Sequence, residues 1–112
     1  MKFTDDLVGN VVVFKLSGRM LGGEDTTRFH GRIHEYLNLN KSNVLVDLGK
    51  VDWTNSQGLG MLISALASVK KAGGRMVLAN IDRIENLLAI TRLITIFEHF
   101  DSYDEALKAL QA

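Results

Sequence analysis

Ser56 opens the run Ser56-Gln57-Gly58-Leu59-Gly60, and its surroundings give its hydroxyl a use. Thr54 and Gln57 stand in the S/T-x-x-E/Q spacing of a capping box. Thr54 is therefore expected to cap a helix and Gln57 to reach back to it. Asn55 and Ser56 then fall in the first turn, where backbone N–H groups lack helical acceptors. The aligned peptide dipoles add about half a positive charge there. A phosphate carries about −1.5 to −2 charge, and on Ser56 it would sit in that field among free donors. It would change the surface a partner meets without breaking the fold. An ordinary first-turn serine fits the same residues, so both readings stand on the residues alone.

The neighbours of Ser56 add detail. Gly58 and Gly60 each cost a helix roughly 0.8–1 kcal/mol relative to alanine. Close approach of a partner or of a packed loop would offset that cost, and a plain fit against a neighbouring strand would account for the glycines as well, more readily for Gly58 than for Gly60. Met20 and Leu21 are apolar residues in a loop at the same edge, which marks them for a partner surface. Met61 falls off the buried stripe of the helix and is expected to be exposed beside Ser56. Trp53, at the corner between strand and helix, is either a core residue or an interface anchor. Asp25 is expected to cap the first helix.

Other chemistries find less support. His30 and His34 are spaced i, i+4, which suits a metal, but no third ligand accompanies them and no glutamate stands between them as in HExxH. No Gly-x-Ser-x-Gly elbow surrounds Ser56, so a hydrolase triad is not expected. No phosphate-binding loop of the Gly-x₄-Gly-Lys-Ser/Thr type occurs. The chain has no cysteine, which excludes thiol chemistry and zinc–thiolate sites. These readings imply no enzyme, no cofactor and no metal site.

Bulk properties agree with a binding protein. Lysine plus arginine and aspartate plus glutamate number 13 each, which gives none of the basic surplus of a nucleic-acid binder. The longest apolar runs are about five residues, against the roughly 20 needed to span a bilayer. The opening Met1-Lys2-Phe3-Thr4-Asp5-Asp6 turns acidic where a secretion signal would turn apolar. No nucleic acid, no membrane insertion and a cytoplasmic location are expected. The 112 residues, 46% of them apolar, suit one domain over 1–112.

The elements that must position Ser56 follow from periodicity. Strands are expected at Lys2 to Val8 and Val11 to Ser17, joined by a Gly9-Asn10 hairpin turn. A helix runs from Asp25 to Asn38, with Phe29, Ile33, Tyr36 and Leu37 on one face. Val44 to Leu48 is nearly unbroken in its apolar character, as in a parallel strand covered on both sides. A second helix spans Asn55 to Lys71 and stops at Ala72-Gly73-Gly74. A strand at Arg75 to Ala79, a helix from Asp82, a short strand near Ile96 to His99 and a helix capped by Ser102 complete the chain. The order β-β-α-β-α-β-α-β-α predicts an α/β fold with a mixed, mostly parallel sheet, an N-terminal hairpin and about four helices. In such a sheet the functional edge lies outside the carboxyl ends of the parallel strands. Ser56 follows the middle of three loops on that edge.

The run Val51-Asp52-Trp53-Thr54-Asn55-Ser56-Gln57-Gly58-Leu59-Gly60 resembles the helix-opening motif of STAS domains, in particular those of bacterial anti-sigma factor antagonists. The motif reads apolar-x-Phe-apolar-Asp-Ser-Ser/Thr-Gly-Leu-Gly, and its apolar aromatic implies that Trp53 is a core residue. The resemblance continues through Ala72 to Asn80, Ile90 to Phe97 and Ser102 to Leu107, and extends to the first half by element order. It implies a STAS-like fold and places Ser56 at the position phosphorylated by an anti-sigma factor serine kinase, a histidine-kinase-like ATPase. The unmodified antagonist binds that kinase and frees the sigma factor, regulating transcription indirectly. Phosphorylation ends the binding, and a phosphatase acting on Ser56 would restore it. Met20, Leu21, Asn55, Ser56, Gln57, Gly58, Gly60 and Met61 would form the partner surface. The chain departs from the motif at Thr54, Asn55 and Gln57. These departures favour the alternative of a STAS scaffold subunit, in a transport or stress-signalling complex, that no phosphate switches.

Overall fold

The Gly9-Asn10 turn folds the chain back on itself at once. Gly9 takes φ 61°, and β1 (Lys2–Val8) pairs antiparallel with β2 (Val11–Met20) from Val8↔Val11 to Lys2↔Ser17. Each later strand arrives through a helix and pairs parallel: β3 (Asn43–Thr54) on β2, β4 (Arg75–Ala79) on β3, and β5 (Glu98–Phe100) on β4. The sheet order is β1-β2-β3-β4-β5. Between the strands run α1 (Glu24–Asn38), α2 (Ser56–Lys71) and α3 (Glu85–Ile90), with α4 (Tyr103–Gln111) last. The structure is a computed structural model and describes residues 1–111.

The two faces of the sheet differ. Val12, Phe14 and Leu16 of β2 and Val44, Val46 and Leu48 of β3 point into the larger core. There they meet Phe29 and Ile33 of α1, Leu59, Leu62, Leu66 and Val69 of α2, and Leu88 of α3. Phe14 and Phe29 pack edge to face with ring centroids 5.0 Å apart. On the opposite face Val11, Val13, Leu45, Val77 and Ala79 lie under Ala106 and Leu110 of α4. A helix of nine residues is only about 13.5 Å long, so α4 covers the end of that face where the parallel strands begin. Along α1, Arg32 and Tyr36 bind the carboxylate of Asp5 and so tie the edge strand to the helix.

Several boundaries move from their expected places. β2 passes Gly18 and ends at Met20, because Gly18, at φ 82°, sits at a register irregularity after which pairing with β3 resumes. β3 likewise runs on to Thr54 rather than ending at Leu48. Asp82 begins a turn rather than a helix, and α3 starts at Glu85. A 3₁₀ turn at Leu93–Thr95 pushes the last strand to Glu98–Phe100. Ser102 caps α4 as expected, accepting a 3.1 Å hydrogen bond from the Glu105 N–H.

Candidate functional site

The end of β3 and the end of β2 are bolted together just before α2 begins. Met20 and Thr54 are register partners. Thr54 is 6% exposed, and its Oγ1 donates a 2.9 Å hydrogen bond to the Met20 carbonyl. Thr54 is thus the last residue of the strand and not the helix cap. Asn55 is the cap, one residue later, with extended backbone (φ −135°, ψ −175°). Its Oδ1 accepts from the Gly58 N–H at 2.9 Å, and its carbonyl accepts from the Leu59 N–H at 2.9 Å. The reason for the shift is burial: a threonine hydroxyl already committed to Met20 cannot also turn toward the helix.

Gly58 belongs to the same joint. A Cβ on it would lie 2.1 Å from the Met20 carbonyl oxygen and 2.3 Å from Thr54 Oγ1. Real atoms cannot approach so closely, so this position admits only glycine while the strand end stays where it is. Gly58 is buried and fits against the ends of the neighbouring strands, β2 and β3, rather than against a loop or a partner. Around Gly60 nothing lies within 4 Å of a built Cβ, so no contact accounts for that glycine. Gln57 backs onto the loop between β2 and α1, where a Cβ on Gly22 would fall 3.1 Å from its own.

Ser56, the first residue of α2, is exposed. Among the described residues its hydroxyl has no hydrogen-bond partner, and the first-turn N–H groups of Ser56 and Gln57 have no helical acceptor. The site is therefore an accessible hydroxyl on a scaffold that does not depend on it. Asn55 is half-buried, Gln57 exposed and Gly60 half-buried around it.

Three residues differ from their expected exposure. Met20 is fully buried and Met61 is 1% exposed. Met20 closes β2 into the larger core, and Met61 packs under α1, where its carbonyl accepts a 3.0 Å hydrogen bond from His30 Nε2. Neither side chain can meet a partner in this structure. Leu21, next to Met20, is 38% exposed. Trp53, expected in the core, is 46% exposed, with the Arg19 guanidinium 4.8 Å from its ring centroid. Neighbouring strands β2 and β3 hold that pair in register.

Trp53 faces a groove of about 340 Å³ shared with Arg83, Leu87 and Ile90. Ile90 is 79% exposed. The sequence reading missed this α3 contribution. Its one signal was that Ile90 lies off the apolar stripe of Ile84, Leu87 and Leu88. Asp25 is also not a cap. α1 is capped by Gly23, at φ 69°, with no side-chain bond, and Asp25 instead pairs with Arg28 and the N-terminal ammonium. Hydrogen bonds from Arg28 and that ammonium hold the Asp25 carboxyl below the usual carboxylate range. Among the described residues no cluster of three or more His, Asp or Glu side chains could hold a metal. Nor, among those residues, is any helix long and apolar enough to cross a membrane.

The family model of the STAS domain matches residues 3–106. The chain belongs to the STAS domain family. A Thermotoga neapolitana protein described as a candidate anti-sigma factor antagonist, a TM1081 homolog, is 35% identical over 78 residues, 69% of each chain. The crystal structure of a candidate anti-sigma factor antagonist from Thermotoga maritima superposes with a TM-score of 0.84 at 25% identity, over 98% of this chain and 95% of that one. The anti-sigma factor antagonist SpoIIAA shares the fold alone. Its unphosphorylated form gives a TM-score of 0.79 at 15% identity over 99% of both chains. Its phosphorylated form, from Bacillus, gives 0.75 at 14% over 97% and 99%. The five-stranded STAS sheet with its antiparallel first pair and four helices is the α/β architecture expected from the sequence. Among STAS relatives this chain groups with the anti-sigma factor antagonists.

Proposed function

We propose that this STAS protein is a partner-switching antagonist whose state is written on Ser56. Unmodified, the surface around Ser56 binds an anti-sigma factor of the histidine-kinase-like ATPase class. The kinase then transfers a phosphoryl group: the Ser56 Oγ attacks the γ-phosphorus of ATP, the bond to the β-phosphate oxygen breaks, ADP leaves, and the hydroxyl proton passes to a base on the kinase or to water. The phosphate adds charge and bulk at the centre of the contact and ends it. A phosphatase that hydrolyses the ester resets the protein. The antagonist itself catalyses nothing in this scheme and needs no cofactor.

One observation carries this reading. Ser56 is exposed and unpartnered, while the residues on either side of it are locked. Thr54, Gly58 and the Met20 carbonyl interdigitate, and Asn55 caps the helix. The hydroxyl can be changed without disturbing what holds it. The free N–H groups of the first turn and the helix dipole suit the added phosphate. The contact surface comprises Ser56, Asn55, Gln57, Gly60 and Leu21, with Trp53 and Ile90 as its apolar flank.

The test is recovery of the protein from its native cell, with phosphosite mass spectrometry on the partner-bound and free fractions. Phosphoserine at 56 should be confined to the free fraction. Ser56→Ala should hold an ATP-binding partner, and Ser56→Asp should release it. A stable complex indifferent to both substitutions would overturn the switch and install the scaffold reading.

A further inference from the structure

Away from Ser56, the face of the sheet that carries α4 is only half covered. Beyond the apolar patch under α4 the strands present polar side chains in register. Thr4, Lys15 and Asp47 form one row across β1, β2 and β3, and Ser17 and Lys50 form the next. Together with Gly49 and Asn80 they line a cleft of about 440 Å³. That volume lies within the range of small-molecule sites, about 300–1,000 Å³.

A solvated sheet face would be polar in any case. What it would not need is the organised floor found here. Asp47 Oδ1 accepts two hydrogen bonds, from the Gly49 N–H at 2.9 Å and from Asn80 Nδ2 at 3.0 Å. Asn80 takes the left-handed conformation, φ 57°, at the end of β4, and its own N–H is held by the Phe100 carbonyl. Gly49 lies so close that a Cβ would stand 3.2 Å from Asp47 Oδ1 and 3.3 Å from Asn80 Cβ. Two special backbone positions and a register irregularity in β2 and β3 thus converge on the placement of one half-buried carboxylate. Its second oxygen has no hydrogen-bond partner among the described residues. Among the described residues Lys15 and Lys50 form no ion pair either, and the Lys15 ammonium stands 5.0 Å from the ring centroid of Tyr103 in α4.

The geometry points to a binding site for a small phosphate ester that carries hydroxyl groups. The two ammonium groups, with the hydroxyls of Thr4 and Ser17, suit the phosphate. The open oxygen of Asp47 accepts a hydrogen bond from a hydroxyl of the ligand. Nothing in this site involves Ser56, so it stands or falls independently of the partner switch.

Titration of ¹⁵N-labelled protein with glycerol 3-phosphate, inorganic phosphate and glycerol tests the assignment. Glycerol 3-phosphate should move the amides of Lys15, Ser17, Gly49, Lys50 and Asn80 saturably, phosphate should do so more weakly, and glycerol should not. Lys15→Ala with Lys50→Ala, both exposed positions, should abolish saturation by both anions while the spectrum stays dispersed. Asp47→Asn removes a carboxylate that repels the anion, so phosphate should bind no more weakly, while the ester should lose about tenfold relative to phosphate, the worth of one hydrogen bond to a charged group. No saturable shift at these amides, or saturation that survives the double lysine variant, would overturn the site. Equal losses for ester and phosphate in Asp47→Asn would overturn the role given to Asp47.

Discussion

α1 and α2 both begin where a strand ends at the same edge of the sheet, yet they begin in opposite ways. α1 starts after two glycines at positive φ, Gly22 and Gly23, with no side-chain cap. It is held by charge: Asp25 to Arg28 and the N-terminal ammonium, and Asp5 to Arg32. α2 starts with neutral groups, the Asn55 cap, the Thr54 hydroxyl on the Met20 carbonyl, and the close approach at Gly58. Charge tolerates looseness and yields to pH and salt. Interlocked neutral contacts fix the backbone to fractions of an ångström. In the second arrangement the first-turn side chain, Ser56, takes no part in the joint.

The contrast can be broken at Gly58. Gly58→Ala should destabilise the domain by about 1–3 kcal/mol, as overpacking does, and lower its melting temperature by several degrees. A melting temperature equal to that of the parent would show that the joint is softer than described. Asn55→Ala should remove the cap at a cost of about 0.5–2 kcal/mol, read in urea titrations as a lower midpoint at unchanged slope. Gly60→Ala should move the other way. Its Cβ has open space, so exchanging glycine for alanine within a helix should add roughly 0.5–1 kcal/mol.

Acid sharpens the comparison further. Hydrogen bonds from Arg32 and Tyr36 hold the Asp5 carboxyl below its ordinary 3.8, against the opposing effect of burial, as Arg28 and the N-terminal ammonium do for Asp25. Folded-state values below unfolded ones contribute stability that is present above about pH 4 and is lost as pH falls through the folded values. Hydrogen exchange at low pH should therefore loosen α1 before the first turn of α2, which has no carboxylate to protonate. The smallest effect is expected at the site itself. Ser56→Ala should change stability by no more than about 0.5 kcal/mol, since its hydroxyl holds nothing.

The architecture was legible because it rests on periodicity. Apolar stripes, glycine punctuation and strand–helix alternation suffice for a parallel sheet with a leading hairpin. Ser56 was legible too, since its place depends on a helix start that could err by one residue without moving it off the first turn. What was hidden depends on contacts between distant segments. Thr54 looked like a cap because its bond to Met20, 34 residues away, is invisible in local spacing. Met61 lies off the α2 stripe when that stripe is drawn against the sheet alone, but α1 covers a second side of the helix. The apolar aromatic of the STAS motif pointed Trp53 to the core. In the strand it alternates with the buried Thr54 and so faces outward, where Arg19 covers one side of the ring.

That outward indole gives the protein an optical property of its own. Trp53 is the chain's single tryptophan and stands three residues before Ser56. Emission excited at the indole band therefore reports on one locality only. A ring half open to water should emit to the red and be quenched by acrylamide. Docking over the adjoining groove should shift the emission to the blue and protect it. The Ser56 segment thus comes with its own fluorophore, and its encounters can be followed in real time without attaching a label.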